Sequence, residues 1–298
     1  RLLSQQQGLV GGSSPWEEQG MMEKGGFAVF GNPIQHSKSP IIHTLFAQQY
    51  AQQIEYRAVH VELDDFVQAT SRFFEAGGAG LNVTVPFKHE AFALAHRNSE
   101  RSLRAGAVNV LTLADDGLID GDNTDGIGLI RDLIANLGWT VQGLRVLLVG
   151  AGGAARGVLE PLLREQPREL LVVNRTAARA AALASEFADI GPLEGGAFDL
   201  IGARQFDLII NATSAGLSGA VPALPSSMLA ENSRCYDMVY GAVPTPFLRW
   251  SADHAAGAVS DGLGMLVEQA AEAFYLWRQL RPETYSVISQ LRAAMEVD

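Results

Sequence analysis

Short apolar runs alternate along this chain with longer stretches whose apolar residues recur at helical spacing. The clearest run covers 144–149 and reads Leu-Arg-Val-Leu-Leu-Val. Helical composition follows over 156–165, and a second apolar run covers 170–173. A short, branched apolar run is typical of a parallel strand that is buried on both faces. Because strands and helices alternate throughout, the pattern predicts an α/β protein with two α/β halves.

The same pattern predicts elements on both sides of this central region. We expect strands at 27–30, 56–61, 80–85, 110–113, 118–120, 206–211, 234–240 and 258–262. We expect helices at 41–50, 64–75, 88–96, 127–137, 177–187, 245–253, 263–280 and 283–295. Ser39 directly precedes Pro40, an order that favours a helix N-cap followed by the first helical residue.

The turn between the two central runs has the spacing of a dinucleotide-binding loop, G-x-G-x-x-G/A. Gly150 allows the tight turn, Gly152 lets the backbone approach a pyrophosphate, and Ala155 lets the helix pack closely on the strand. The free N–H groups of the helix start attract the anion. The motif alone is weak, because turns often contain glycine. Its position between two buried strands favours a Rossmann-type nucleotide site over a plain turn.

The residues after the second central strand indicate which dinucleotide binds. An NAD site usually has an acidic residue here, which binds the ribose 2′-hydroxyl. This chain instead has Asn174, Arg175 and Thr176, with Arg179 one helical turn further on. Guanidinium groups bind a 2′-phosphate well, and no carboxylate is present to repel it. We therefore predict NADP; the alternative is that both arginines are solvated surface charges.

Composition and charge narrow the possible partners. The chain has 298 residues, 47% of them apolar, and a net charge of −11, which disfavours nucleic acid and anionic membranes. No apolar run approaches membrane-spanning length. The single cysteine, Cys235, excludes an internal disulfide, and no His, Asp and Glu spacing indicates a metal site. We expect a cytoplasmic enzyme that acts on a small molecule without a metal.

Polar side chains follow several predicted strands, at the edge of the sheet where α/β proteins bind ligands. Ser37 follows the first strand, and Lys88 follows the strand that carries Asn82 and Thr84. A lysine at a helix start opposes the helix dipole, so Lys88 is not there for helix stability. The polar run 121–126 also precedes a helix. It fits a loop and cap or an oxygen cluster, although it lacks the ligand spacing of an EF-hand.

Taken together, these motifs resemble the shikimate dehydrogenase family, NADP-dependent enzymes of aromatic amino-acid biosynthesis. The resemblance runs from about residue 27 to the C-terminus. The matching segments lie at 31–33, 37–40, 82–88, 106–109, 121–126, 150–154, 174–176, 211–213 and 261–266. One segment departs from the pattern: 241–244 lacks the lysine-bearing turn expected before Thr245. We expect this departure to alter a loop on the cofactor side and not the chemistry.

The resemblance implies a reversible reduction of 3-dehydroshikimate to shikimate by hydride transfer. Since NADPH supplies the hydride, the protein must supply a proton donor, and the resemblance implies Lys88 paired with Asp125. It implies substrate binding by Ser37, Ser39, Thr84, Asn109, Tyr240 and Gln269. It implies cofactor binding by Gly150, Ala151, Gly152, Gly153, Ala154, Asn174, Arg175, Thr176, Arg179, Thr213, Met238 and Gly262.

The resemblance also implies two domains with the active site in the cleft between them. We expect a substrate-binding domain at 22–124 plus 263–298, a Rossmann domain at 125–262, and a leader or tag at 1–21. A monomer and a homodimer are both open. Two alternative functions are a broader quinate/shikimate dehydrogenase and a non-catalytic NADP-sensing module. The presence of both Lys88 and Asp125 argues against the sensor, because a sensor needs only the cofactor half.

Overall fold

Two six-stranded sheets form the framework of the described chain, residues 25–215 and 219–297 of a computed structural model. The predicted leader at 1–21 lies outside the described residues. Strands β1 to β6 form the first sheet and cover Gly26–Gly31, Tyr56–His60, Gly78–Val83, Arg97–Asn98, Val110–Leu113 and Ile119–Asp122. Strands β7 to β12 form the second and cover Arg145–Val149, Glu169–Val173, Leu193–Gly196, Phe206–Asn211, Leu229–Asp237 and Ala258–Asp261. The predicted fold, an α/β protein with two α/β halves, is confirmed.

The two sheets differ in the direction of their strands. The first has the order β2-β1-β3-β5-β6-β4, with β1 parallel to β2 and β3 but β5 antiparallel to β3 and β6. The second has the order β12-β11-β10-β7-β8-β9, and all its pairs are parallel. Residues 146–149 and 208–210 of its central strands are apolar and fully buried. This is a doubly wound Rossmann sheet, which binds ligands at the carboxyl ends of its strands.

Ten α-helices of the described residues connect and cover the strands. Helices α1 to α10 cover Ser39–Gln49, Phe66–Glu75, Lys88–Leu94, Glu100–Ala105, Asp125–Arg131, Gly153–Arg164, Ala177–Phe187, Pro246–Asp253, Leu263–Arg278 and Tyr285–Val297. The helix expected over 127–137 is α5 followed by one wider π-helical turn, Asp132–Asn136. Asp132 accepts hydrogen bonds from Tyr236 and Asn136 at 2.6 and 3.0 Å, so this turn directs its carboxylate into the core.

Two sequence predictions about element ends are wrong. Ser39 is the first helical residue of α1 and not its N-cap; Lys38 holds the cap position, and its side chain forms no capping hydrogen bond. The strand expected to reach residue 240 ends at Asp237, because its carboxylate accepts the backbone N–H of Val239 and turns the chain. The edge strands β4 and β9 were not predicted, since neither contains an apolar run.

Apolar side chains pack on both faces of the second sheet and beneath the first. A further cluster joins the first helix to the last two. It contains Ile42 and Phe46 of α1, Phe274 of α9, and Val287 and Leu291 of α10. The C-terminal helices therefore lie against α1, whose first turn faces the cleft described next.

Candidate active site

A cleft of about 500 Å³ lies where the loops after β1 and β3 face the loops after β11 and β12. The predicted site residues that line it are Ser37, Ser39, Thr84, Lys88, Asn109, Asp125, Met238, Tyr240, Gly262 and Gln269. All of the predicted substrate-binding and catalytic residues therefore reach one cleft. Asn82, His36, Met265 and Leu266 also line it, although sequence reasoning assigned them no role.

Lys88 and Asp125 form an ion pair inside this cleft. Each is the first residue of its helix, α3 and α5, so two helix starts converge here. The Lys88 Nζ atom lies 2.5 Å from Asp125 Oδ2, and the two side chains are 27% and 13% exposed. The Lys88 carbonyl oxygen accepts the backbone N–H of Val108 at 2.9 Å, which anchors the start of α3. The pair can exchange a proton with a hydroxyl group bound in the cleft.

Two amide side chains complete the polar wall around Asp125. The Asn109 amide donates to Asp125 Oδ1 at 2.9 Å and lies 3.2 Å from Gln269 Oε1. The Asn109 side-chain oxygen Oδ1, in turn, accepts the backbone N–H of Thr124 at 2.8 Å. The Gln269 amide donates to the Leu266 carbonyl oxygen at 2.8 Å, which fixes its orientation on α9. The wall therefore offers several oriented donors and acceptors to the hydroxyl groups of a ligand.

A buried layer lies behind this wall. The Tyr56 hydroxyl donates to Asn82 at 2.7 Å, and the Asn82 amide donates to the Asn109 backbone carbonyl at 3.2 Å. Burial raises the pKa of Tyr56 well above its ordinary value, and a hydrogen bond with Ser39 acts in the opposite direction. His43 stacks on Tyr56 with ring centroids 4.4 Å apart. Sequence reasoning missed Tyr56 and His43 because their positions fit an ordinary strand and an ordinary helix.

The two predicted serines lie at the start of α1. The Ser37 hydroxyl oxygen accepts the backbone N–H of Ser39 at 3.3 Å, and its proton remains free to be donated. Pro40 has no N–H, and the Ile42 N–H donates to the Lys38 carbonyl oxygen at 3.1 Å, which leaves the Ile41 N–H of the first turn for a ligand. Hydroxyl donors beside a helix N-terminus suit a carboxylate anion. Tyr240 reaches the same cleft from the loop after β11.

The predicted nucleotide loop connects β7 to α6. Gly150 has a φ of +113°, a left-handed conformation that favours glycine. A Cβ atom added at Gly152 would meet no atom within 4 Å, so the space before α6 is open. Ala155 is fully buried against the sheet, as predicted. Helix α6 has 12 residues, and its N-terminus faces the open space, which fits the pyrophosphate of a dinucleotide.

The residues predicted to select NADP lie in the turn between β8 and α7 and in the first turn of α7. The Asn174 amide donates to the Thr176 carbonyl oxygen at 3.1 Å, which closes the turn. Arg175 and Arg179 are exposed on its surface, and neither forms an ion pair with any carboxylate of the described chain. Both guanidinium groups are therefore available to an anionic ligand.

A buried carboxylate supports the loops between the two parts of the nucleotide site. Asp237 accepts hydrogen bonds from Thr245 at 2.5 Å and from the Asn211 amide at 3.2 Å. Asn211 in turn accepts the Thr213 hydroxyl at 2.7 Å. Burial raises the pKa of Asp237, although these hydrogen bonds act in the opposite direction. Thr213 and Met238, both predicted to bind cofactor, are therefore held by one network that sequence reasoning missed.

A second buried carboxylate, Glu272, gathers three arginines, which come from α4, the end of α5 and the segment after α9. Its oxygens lie 3.2 Å from Arg101, 2.7 Å from Arg131 and 2.9 Å from Arg281. Burial acts to raise the pKa of Glu272, but the three guanidinium groups together hold it below its ordinary value. Arg101 also binds Asp122 at 2.7 Å, so the network fixes the loop that leads to the Lys88 partner.

Residues 25–215 and 219–297 contain no group of three or more His, Cys, Asp or Glu side chains that could hold a metal ion. Among the same residues, no helix is long and apolar enough to cross a membrane.

Three family models match the chain in order. Residues 29–111 match the shikimate dehydrogenase substrate binding domain, 133–229 match shikimate/quinate 5-dehydrogenase, and 262–292 match the shikimate 5′-dehydrogenase C-terminal domain. The shikimate dehydrogenase (NADP(+)) of Cellvibrio japonicus is 54% identical over 266 residues, which cover 89% of this chain and 96% of that relative. The corresponding protein of Alkalilimnicola ehrlichii is 56% identical over 266 residues, or 89% and 98% of the two chains.

Two solved structures resemble the chain over nearly its whole described length. An Ael1 enzyme from Pseudomonas putida is 47% identical, with a TM-score of 0.85 and coverage of 90% of this chain and 98% of its own. The shikimate 5-dehydrogenase of Thermus thermophilus, solved with NADP(H) and shikimate, is 34% identical with a TM-score of 0.80. That match covers 91% of this chain and 99% of the Thermus chain.

Proposed function

The chain belongs to the shikimate dehydrogenase family, and from this premise we propose that it reduces 3-dehydroshikimate reversibly to shikimate with NADPH. The observation that carries the proposal is the ion pair of Lys88 and Asp125, 2.5 Å apart in a cleft that both halves of the molecule line. A sensor of NADP would need no such pair in front of the nucleotide site.

The two walls of the cleft suit the two ends of the substrate. Ser37, Ser39 and Tyr240 bind its carboxylate in this proposal, because hydroxyl donors and the start of α1 favour an anion. Thr84, Asn109 and Gln269 bind the ring hydroxyls from the opposite wall. The substrate is thereby held by both ends, and its reacting carbon–oxygen group points at Lys88.

Lys88 is the proton donor and acceptor in this mechanism. When bound, NADPH supplies the hydride. As the carbonyl carbon of 3-dehydroshikimate gains that hydride, the Lys88 ammonium gives a proton to the developing alkoxide, which leaves a secondary alcohol and a neutral amine. In the reverse direction the neutral amine takes the hydroxyl proton. Asp125 keeps the Lys88 Nζ atom in place and accepts a hydrogen bond from the same substrate hydroxyl.

The nucleotide lies along the carboxyl edge of the second sheet in this proposal. The backbone at Gly150, Ala151, Gly152, Gly153 and Ala154 holds the pyrophosphate; Asn174, Arg175, Thr176 and Arg179 hold the 2′-phosphate. Thr213, Met238 and Gly262 lie near the nicotinamide, and the last two line the cleft. Arg175 in the turn after β8 and Arg179 in α7, which pair with no carboxylate of the described residues, support NADP over NAD.

The boundaries of the two parts remain our proposal. We assign 22–124 plus 263–298 to substrate binding and 125–262 to the cofactor, which is consistent with the strands of the two sheets. Asp125 itself sits at the junction between them. We propose a cytoplasmic monomer or homodimer. The single, buried cysteine supports a reducing compartment, and burial raises its thiol pKa to about 11.

The experiment that tests the function follows NADPH formation, by its near-ultraviolet absorbance, from shikimate and NADP. Parallel reactions replace shikimate by quinate, or NADP by NAD. Rapid turnover of shikimate with NADP alone is the expected result. Comparable rates with quinate would favour a quinate/shikimate dehydrogenase of broader specificity. Binding of NADPH without turnover of any substrate and cofactor pair would contradict the proposed enzyme activity and favour the NADP-sensing module.

A further inference from the structure

The last helix of the chain reaches across to the loops of the second sheet. Arg292 of α10 forms a two-pronged ion pair with Asp261, the last residue of β12; its Nη1 atom lies 2.9 Å from Asp261 Oδ2, and Nη2 contacts Oδ1. The same Nη1 atom donates to the Gly241 carbonyl oxygen at 3.1 Å. One guanidinium therefore binds two separate loops.

Both loops carry residues that line the active-site cleft. Asp261 directly precedes Gly262, and Gly241 directly follows Tyr240. Asp261 also accepts the backbone N–H of Leu263, the first residue of α9, at 3.2 Å. The two residues that Arg292 contacts are therefore sequence neighbours of residues that line the cleft. The Arg292 side chain itself does not line the cleft.

Helix α10 is anchored on α1, whose first residue lines the cleft. Val287 and Leu291 of α10 belong to the same apolar cluster as Ile42 and Phe46 of α1. Ser39, at the start of α1, lines the same cleft as Tyr240. Through α10, Arg292 therefore links the helix that carries Ser39 to the loop that carries Tyr240.

The burial of the pair makes this coupling strong. The Asp261 side chain is 7% exposed and that of Arg292 is 36% exposed. A carboxylate this buried is costly when its cationic partner is removed, so its loop would move to regain solvent or another donor. The segment 241–244, which departs from the family pattern, is held at its first residue by Arg292.

We propose that Arg292 is a positioning residue that sets the distance between the Tyr240 hydroxyl and the start of α1, and thereby the affinity for the substrate carboxylate. The inference rests on the proposed function. In the proposed mechanism Arg292 touches neither substrate nor cofactor. It acts on Tyr240 through its contacts with Asp261 and Gly241. Its loss is expected to weaken substrate binding more than it slows the chemical step, since Lys88 and Asp125 lie on other elements.

The test compares Arg292→Gln and Arg292→Lys with the wild type. We expect Arg292→Gln to raise KM for shikimate about tenfold while kcat changes by less than about threefold, well short of the roughly hundredfold cost of misplacing a reacting group. Arg292→Lys should have a KM close to the wild-type value, because an ammonium group can still reach Asp261. Adding Tyr240→Phe to Arg292→Gln should raise KM little beyond the Tyr240→Phe variant alone, since both changes disturb one contact.

Arg145→Gln provides a matched control. Arg145 binds Asp207 by a similar fork, at 2.7 and 3.0 Å, but at the amino edge of the second sheet, away from the cleft. It should lower thermal stability less than Arg292→Gln does, because the Asp207 side chain is 30% exposed, and it should leave KM unchanged. An unchanged KM in Arg292→Gln, or the same rise in Arg145→Gln, would overturn the inference, as would fully additive effects with Tyr240→Phe.

A second readout separates this inference from the proposed function. Isothermal titration calorimetry gives the dissociation constant for shikimate without any turnover, and Arg292→Gln should raise it about tenfold as well. If the wild type binds shikimate but does not oxidise it with NADP, the proposed function fails while this measurement still decides the role of Arg292. An equal dissociation constant in wild type and variant would refute that role.

Discussion

Asn109 donates its side-chain amide to the Asp125 carboxylate oxygen that Lys88 leaves free, at 2.9 Å. Both oxygens of the carboxylate are therefore occupied, one by an amide and one by an ammonium group. This fixes the rotation of the carboxylate and, through it, the direction in which Lys88 points. A proton donor held in this way needs little reorganisation when the substrate binds.

Replacing Lys88 by Ala should collapse turnover with little loss of substrate affinity. The change removes the proton donor, a group that typically contributes about 10²- to 10⁴-fold to rate, but leaves both walls of the cleft intact. The measurement is kcat for shikimate oxidation, together with the dissociation constant for shikimate from calorimetry.

Glu90→Ala is the matched control for this variant. Glu90 lies in the same first turn of α3 and is exposed, so its loss perturbs the helix start without touching the cleft. It should retain kcat within about twofold and lose a few tenths of a kcal/mol of stability. Intact turnover in Lys88→Ala would remove the lysine from the mechanism.

Much of this architecture was predictable because its signals are local. The turn from Gly150 to Ala155 depends on residues a few positions apart, and the motifs that end in Lys88 and Asp125 each lie on one strand–helix junction. Topology then brings those junctions to one edge, as parallel sheets require. The role of each side chain in the cleft stays a prediction, whereas the fold and family are confirmed.

The supporting contacts were not predictable, because they join distant positions. Asp132 and Tyr236 are 104 residues apart, and Arg101 and Glu272 are 171 apart. Nothing in the local pattern distinguishes these side chains from surface charges or core aromatics. The N-cap predicted at Ser39 was wrong because α1 begins one residue earlier, with Lys38 at the cap position and the Ser39 N–H donating to the Ser37 hydroxyl oxygen.

Changing both Arg175 and Arg179 to Ser should weaken the binding of NADP and leave the reaction with NAD unchanged. Loss of each arginine should raise KM for NADP about tenfold, the lower end of the effect expected for a hydrogen bond to a charged group. The lower end applies because both side chains are exposed. The KM for NADP is the quantity to measure, and the rate with NAD serves as internal control. Arg204→Ser, which removes an arginine paired with Glu194, should change neither. An equal loss with both cofactors would contradict 2′-phosphate recognition.

Gly128→Ala should destabilise the protein and impair substrate binding. The new Cβ atom would lie 2.8 Å from the Gln269 Cβ atom and 2.9 Å from the Met265 carbonyl oxygen, which forces α5 and α9 apart. Overpacking of this kind costs about 1–3 kcal/mol. Urea unfolding measures the loss, and KM for shikimate should rise because Asp125 and Gln269 sit on the two displaced helices.

Gly157, which also lies in a helix, provides a control in which the change to Ala should raise stability and not lower it. A Cβ atom there would have its nearest contact at 3.8 Å, an ordinary packing distance, so Gly157→Ala should gain up to about 1 kcal/mol from helix propensity. The close approach of α5 and α9 would be refuted if both alanine variants were stabilised by similar amounts.

His43 should make the free energy of unfolding fall on mild acidification. Burial lowers its pKa from 6.5 to about 3, and neither ring nitrogen has a hydrogen-bond partner among the described residues. It packs among the rings of Phe46, Tyr56, Phe274 and Trp277, so no carboxylate compensates a charge there. Below pH 6.5 the unfolded chain gains a proton that the folded chain does not, which favours unfolding.

The contribution of His43 is isolated by comparing the wild type with His43→Gln. Carboxylates titrate in both proteins, so the difference between their unfolding free energies reports this histidine alone. The wild-type advantage should be largest above pH 6.5 and shrink by up to about 1.4 kcal/mol for each pH unit below it, until the folded protein also binds the proton near pH 3. Urea titrations at closely spaced pH values give the slope. A difference that stays constant over this range would mean that the buried imidazole is already charged or that it can reach solvent.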